Sequence, residues 1–202
     1  MRKDATENRL ALLDAARLEL NLDPDAPLEV IAARAGLSRR AVYGHFATRD
    51  ELVRELIGLG AQRVAAAVGT VDHPDPVVRL ALLASRLWHE VENVRVMAVF
   101  AVRGPLRSVT AEALAPVRER VAGAITEGAA SGSVRRDIPA AQLARLVEDA
   151  ALAGLAVAST DAVPAAQAHR LVMLLVLATV GLSAADSATL IDTHPELHRT
   201  DA

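Results

Sequence analysis

The chain of 202 residues contains no cysteine. That absence excludes a disulfide framework, a thiol nucleophile and a zinc–thiolate site. Aromatic residues make up only 2% of the sequence, namely Trp88, Tyr43, Phe46 and Phe100. Strand-rich folds draw on aromatic and β-branched side chains, whereas the apolar mass here is mostly Ala, Leu and Val, which points to helices. No apolar run is long enough to cross a bilayer. The longest uncharged stretch lies between Arg170 and Asp186, short of the ~20 residues a span needs. Met1-Arg2-Lys3-Asp4 leads into a mixed polar segment, so no secretory signal is predicted. The expectation is a soluble, cytoplasmic protein with no membrane partner.

What is present argues for a packed core. Hydrophobic residues are 52% of the chain and charged residues 23%, which excludes disorder throughout. The formal net charge is −3, but it is spread unevenly. Residues 1–33 hold four basic and seven acidic side chains, whereas residues 34–54 hold five arginines against Asp50 and Glu51. A compact positive island inside an acidic chain is what a phosphate backbone selects, although a run of arginines is also an ordinary solvated face.

Helical spacing runs along nearly all of the sequence. Leu10, Leu13, Ala16 and Leu20 form one apolar stripe, which should end near Asp23-Pro24-Asp25. Leu28, Ile31, Ala32 and Ala35 form a short second stripe closed by Gly36, and Ser38 caps a third helix with Val42, Tyr43 and Phe46 inward. Thr48-Arg49-Asp50-Glu51 has the form of a capping box and opens a fourth helix to about Val68. Asp75-Pro76 reads as an N-cap and first position, and a further helix covers Arg95 to Val102. One helix should reach Ala130, with Pro116 in its first turn, before Gly132 stops it. Pro139 and Pro164 open the last two long helices, to about Thr160 and Leu182. A short turn after Ser183 and a loose polar tail beyond Asp192 complete the reading.

Residues 28–46 are two short helices joined by Ala35-Gly36-Leu37, and their apolar faces can pack only at a steep crossing. That is the shape of a helix-turn-helix, with an ordinary helical hairpin as the alternative. The second helix exposes Arg39 and Arg40 in its first turn, where side chains reach base edges. Arg49 begins the next helix, again where an anion would bind.

These residues carry a resemblance. Ile31-Ala32-Ala33-Arg34-Ala35-Gly36-Leu37-Ser38, followed by Val42-Tyr43-Gly44-His45-Phe46-Ala47-Thr48-Arg49-Asp50-Glu51-Leu52, resembles the DNA-binding domain of the TetR family of transcriptional repressors. The strong likeness covers residues 9–57. It implies an all-α protein with an N-terminal three-helix helix-turn-helix DNA-binding domain, residues 1–50. A larger helical ligand-sensing and dimerisation domain, residues 51–202, would follow. It implies that Arg39, Arg40 and Ala41 read bases, that Tyr43 and His45 contact phosphates, and that Arg49 binds the backbone. Ser38 and Thr48 complete the DNA-facing set, and Phe46 belongs to the core. An arginine bidentate to guanine is the commonest specific contact in the major groove of double-stranded DNA. Pro27 departs from the family pattern, because it stands where a threonine often contacts phosphate and has no hydrogen to donate. Asp23 and Asp25 would repel DNA if they faced it, and Arg2 and Lys3 are available as a compensating arm.

In the C-terminal part, Leu171-Val172-Met173-Leu174-Leu175-Val176-Leu177 is apolar on every side of a helix, and such a helix must be buried all round. A homodimer burying Leu146, Leu152 and Leu155 together with Leu171, Leu174, Leu175 and Ala178 satisfies this, as does an enclosed core helix in a monomer. The family resemblance implies the dimer, which would also space two recognition helices for a palindromic operator. It further implies a small-molecule pocket. Trp88, Met97 and Phe100, with His89 and Glu92 beside them, are candidates for binding a small lipophilic ligand, or else they are simply core.

Enzyme chemistry finds little footing. His89, Glu90 and Glu92 resemble part of a helical metal site without its second half, and His194 and His198 are interrupted by Pro195. No catalytic residue, metal or cofactor is predicted. The expected function is a ligand-responsive, DNA-binding repressor. A helical dimeric carrier of small molecules with a degenerate helix-turn-helix is the alternative.

Overall fold

A computed structural model describes residues 2–104, 106–161 and 163–198, with side chains from residue 6 onward. The described residues form helices and connecting turns. The helices are α1 (Arg2–Leu22), α2 (Leu28–Arg34), α3 (Arg39–Tyr43), α4 (Arg49–Gly69), α5 (Pro76–Val91), α6 (Arg95–Arg103), α7 (Arg107–Ala113), α8 (Ala115–Ser131), α9 (Ala140–Thr160), α10 (Ala165–Thr179) and α11 (Ala184–Thr193), with a 3-10 turn at Pro195–His198. Among the described residues no helix is long and apolar enough to cross a membrane.

The chain divides into two compact units, and the division is not the one expected at residue 50. The first unit runs to Gln62 and takes in Val94–Ala113, while the second holds Arg63–Asn93 and the chain from Leu114 onward. The physical reason lies in the first core. Leu12, Leu13, Ala16 and Leu20 of α1, Leu28 and Ile31 of α2, Val42 of α3, Phe46, and Leu52, Val53 and Ile57 of α4 are buried together with Met97 and Ala101 of α6. Without α6 that core would be open on one side. Leu10, predicted in the α1 stripe, is 57% exposed, and Leu12 takes its place.

Local chemistry accounts for the boundaries. Asp75 accepts hydrogen bonds from the Val77 and Val78 amides at 2.7 and 3.3 Å, and Pro76 follows at the first position of α5. The helix expected to reach Ala130, with Pro116 in its first turn and Gly132 at its end, is α8, and a separate short α7 precedes it. Pro116 cannot sit inside a helix, because its ring displaces the carbonyl four residues back, so it opens α8 after α7 has ended.

In the second unit α5 packs against α8 and α10, and α9 packs against α8 and α10. Trp88, Leu80, Ile125, Leu143, Leu155, Met173 and Leu177 are fully buried there. Up to His198 the C-terminal segment is helical where a loose tail beyond Asp192 was expected. Ser183 caps a ten-residue α11, and Leu197 is fully buried in the turn that follows. Ile191 and Leu197 are buried, Ser85 donates to the Leu197 carbonyl and Arg170 pairs with Asp192, contacts that no periodicity reveals.

Candidate nucleic-acid interface

The α2–α3 pair is built by its turn. Gly36 has φ +69, and the amides of Gly36 and Leu37 donate to the Ala33 and Ala32 carbonyls at 3.1 and 3.0 Å. This is a Schellman closure, and its left-handed residue favours glycine. Ser38 then caps α3, its hydroxyl accepting from the Ala41 amide at 3.3 Å. Val42 and Phe46 anchor α3 in the core. Arg39, Arg40 and Tyr43 are exposed and, at 3.6 residues per turn, fall within roughly a third of the helix circumference. Ala41 is half-buried beside them.

The exposed face is not electrostatically simple. Arg39 Nη2 lies 3.3 Å from Glu29 Oε1, and the Tyr43 hydroxyl donates to the same oxygen at 3.4 Å. The Arg39 guanidinium sits 5.6 Å from the Tyr43 ring centroid. Arg40 has no ion-pair or hydrogen-bond partner among the described residues. His45 is half-buried, and its carbonyl accepts from Arg9 at 3.1 Å. Arg9 itself stacks 4.4 Å from the Phe46 centroid and pairs with Glu55. Neither Glu29 nor Arg9 stood out in the sequence, because no helical spacing connects them to residues they meet only through the packed domain.

Two residues expected to face DNA also make contacts within the chain. Thr48 accepts from the Glu51 amide at 3.2 Å, as in a capping box, while Glu51 accepts from the amide of Ala47, one residue before the cap, at 2.8 Å. Arg49 donates through Nε to the Ala26 carbonyl at 2.8 Å and through Nη2 to the Pro24 carbonyl, and Asp50 lies 3.8 Å from Nη1. The guanidinium therefore ties the α1–α2 connection to α4. Pro27 stands at the N-cap of α2 with no side-chain cap. The Arg2 and Lys3 side chains lie outside the described residues.

The five expected ligand residues do not share a core. Met97 is buried with the first unit and Phe100 packs against that cluster, whereas Trp88, His89 and Glu92 belong to the second. Trp88 Nε1 donates to Glu92 Oε2 at 3.1 Å, one helical turn on. His89 faces His169 with ring centroids 4.6 Å apart, and both its ring nitrogens are buried with no hydrogen-bond partner. Ser85 donates its one proton to the Leu197 carbonyl at 2.7 Å, so the 2.9 Å contact to His169 must be donated by His169 Nε2. Burial, then the neighbouring His89 and His198, push the His169 imidazole down to about 4. His169, Ser85 and His198 were not singled out as a group, and sequence distance hides it. Among the described residues no three His, Asp or Glu side chains are placed to hold a metal ion.

The expected dimer residues also separate. Leu152 and Leu155 are buried within the chain's own second unit, so they line its core. Leu146 and Ala178 are exposed, Leu171 and Leu174 of α10 are half-buried, and Leu175, also half-buried, packs towards Gly154 of α9.

Comparison with known proteins adds to this geometry. The family model described as "Bacterial regulatory proteins, tetR family" matches residues 24–56. No curated protein matches the sequence significantly. Solved structures share the fold. The TetR-like transcriptional regulator LfrR from Mycobacterium smegmatis, in complex with proflavine, is 23% identical with a TM-score of 0.63, over 88% of this chain and 98% of that one. The transcriptional regulator FadR from Bacillus subtilis, in complex with stearoyl-CoA, is 18% identical with a TM-score of 0.62, over 83% and 97%. SmeT, the repressor of the Stenotrophomonas maltophilia multidrug efflux pump SmeDEF, is 22% identical with a TM-score of 0.62, over 84% and 88%.

Proposed function

We propose that the chain is a regulator of the tetR type, on the match of that family's model to residues 24–56, and that it is a cytoplasmic, ligand-responsive repressor binding a palindromic operator as a homodimer. The observation that carries the reading is the short α3. A serine caps it, Val42 and Phe46 seat it, and two adjacent arginines stand exposed in its first turn. Arg40, with no intramolecular partner, is the side chain best placed to meet a guanine edge, and Arg39 and Tyr43 flank it. Thr48 caps α4, and Arg49 ties the α1–α2 connection to it.

Dimerisation rests on the outer faces of α9 and α10, through Leu146, Leu171, Leu174 and Ala178. Two copies burying these side chains would bring two α3 helices to successive major grooves, ~34–36 Å apart. Ligand response rests on the unsatisfied His89 beside Trp88 and Glu92. A buried imidazole without a partner costs about 1–3 kcal/mol, which a hydroxyl-bearing apolar ligand would relieve. The regulators LfrR and FadR were solved with proflavine and stearoyl-CoA, ligands that join a large apolar portion to charged groups. For repression to respond, that ligand must prefer the state in which the two recognition helices are misplaced.

The test is fluorescence anisotropy with duplex DNA from upstream of the chain's own gene, against scrambled competitor, across a salt series. Binding that the competitor cannot displace, and that Arg39→Ala with Arg40→Ala weakens by at least tenfold, is expected. Equal affinity for scrambled DNA, together with failure to enrich any duplex from a random pool, refutes the reading and favours a small-molecule carrier.

A further inference from the structure

The arrangement around Glu29 bears on how the α3 face is made available. One carboxylate oxygen, Glu29 Oε1, takes both the Arg39 guanidinium at 3.3 Å and the Tyr43 hydroxyl at 3.4 Å. Glu29 lies in the first turn of α2 and the other two on α3, so the contact spans the helix-turn-helix itself. All three side chains are substantially exposed: Arg39 at 75%, Glu29 at 49% and Tyr43 at 45%. Solvent therefore leaves the cluster free to open, since exposed pairs are held by little energy. Arg39 also leans over the Tyr43 ring, so the two side chains are held as a unit against Glu29.

We propose that Glu29 is an intramolecular competitor for DNA, a carboxylate that occupies Arg39 and Tyr43 in the free protein and must be displaced before they engage the duplex. The proposal rests on the reading that the α3 face binds DNA. A phosphate or a guanine edge offers Arg39 the same kind of acceptor that Glu29 does, and one guanidinium edge cannot serve both. Once displaced, the Glu29 charge remains beside the phosphate backbone and opposes it. Arg40 is left to make first contact, and the Arg39 and Tyr43 contacts are added only where the site repays the release of Glu29. Glu29 thus lowers affinity most for sites that engage Arg39, where its own contact has to be given up, and less for sites that leave Arg39 paired. It is a specificity-determining residue that reads no base.

The experiment uses the full-length protein and a duplex enriched by the wild-type chain from a randomised pool, with a scrambled duplex beside it. Glu29→Gln is expected to bind the enriched duplex about three- to tenfold more tightly at low salt, to gain less on the scrambled one, and so to sharpen discrimination. Asp25→Asn is the control for general charge, since Asp25 is an exposed acid of the same domain that pairs with no basic side chain among the described residues. In a background of Arg39→Ala with Tyr43→Phe, the gain from Glu29→Gln should shrink to that of the control. Unchanged or weaker binding by Glu29→Gln, with the wild type binding normally, overturns the competitor while leaving the DNA reading standing. A gain that persists undiminished in the double background also overturns it, because repulsion alone would then explain the effect. If the wild type enriches no duplex, both readings fall together. Thermal unfolding of each variant separates a binding effect from a folding one.

Discussion

His169 makes stability depend on pH in a way that can be worked out in advance. An ordinary histidine titrates near 6.5, and in the folded chain His169 is pushed down to about 4 by burial and by the neighbouring His89 and His198. The unfolded chain therefore takes up a proton that the folded one refuses. Stability from this group is complete above pH 6.5, falls as the pH drops towards 4, and changes no further below that. Linkage over the whole interval gives a ceiling of about 3 kcal/mol, and the part between pH 7 and pH 5 gives about 2. Residual solvent contact screens the charge and reduces the latter figure to about 1–2 kcal/mol. Trp88 is the only tryptophan, its ring centroid lies 6.4 Å from that of His169, and both belong to the second unit. Its fluorescence during urea unfolding at pH 7, 6 and 5 is thus a local assay. His169→Gln preserves a donor towards Ser85 while removing the titration, and it should flatten the profile in this window. A wild-type midpoint that does not fall between pH 7 and 5, or a fall that His169→Gln does not reduce, would refute the reasoning.

Three further outcomes follow from other parts of the fold. Arg49→Ala removes the donors to the Ala26 and Pro24 carbonyls and should destabilise the first unit by about 2 kcal/mol, read as a lower denaturation midpoint, with Arg49→Lys restoring only part of it. Gly36→Ala meets nothing within 4 Å, so its expected cost of about 1 kcal/mol comes from the left-handed backbone alone, and a larger loss of thermal stability would point to packing instead. Leu174→Glu, on the outer side of α10, should convert a dimer to monomers in sedimentation velocity while leaving the helical circular dichroism intact. Retention of the dimer would move the interface elsewhere.

Sequence and structure agree wherever interactions are short-ranged. The caps at Ser38 and Asp75, the Thr48–Glu51 box and the left-handed Gly36 depend on residues within a few positions of one another, so they were readable directly. The helix-turn-helix followed from those signals together with the apolar spacing of Ile31, Val42 and Phe46. Tertiary packing decided the rest. Arg49 is spent on a loop 23 residues back, Ser85 reaches a carbonyl 112 residues on, and Met97 closes a core that begins in α1. No periodicity encodes such meetings, because they depend on how helices cross once the chain has closed on itself. For the same reason the apolar run Leu171–Leu177 of α10 announces burial without saying which face meets its own chain. The inward side of α9 at Leu152 and Leu155 and the outward side at Leu146 emerge only when the helices pack.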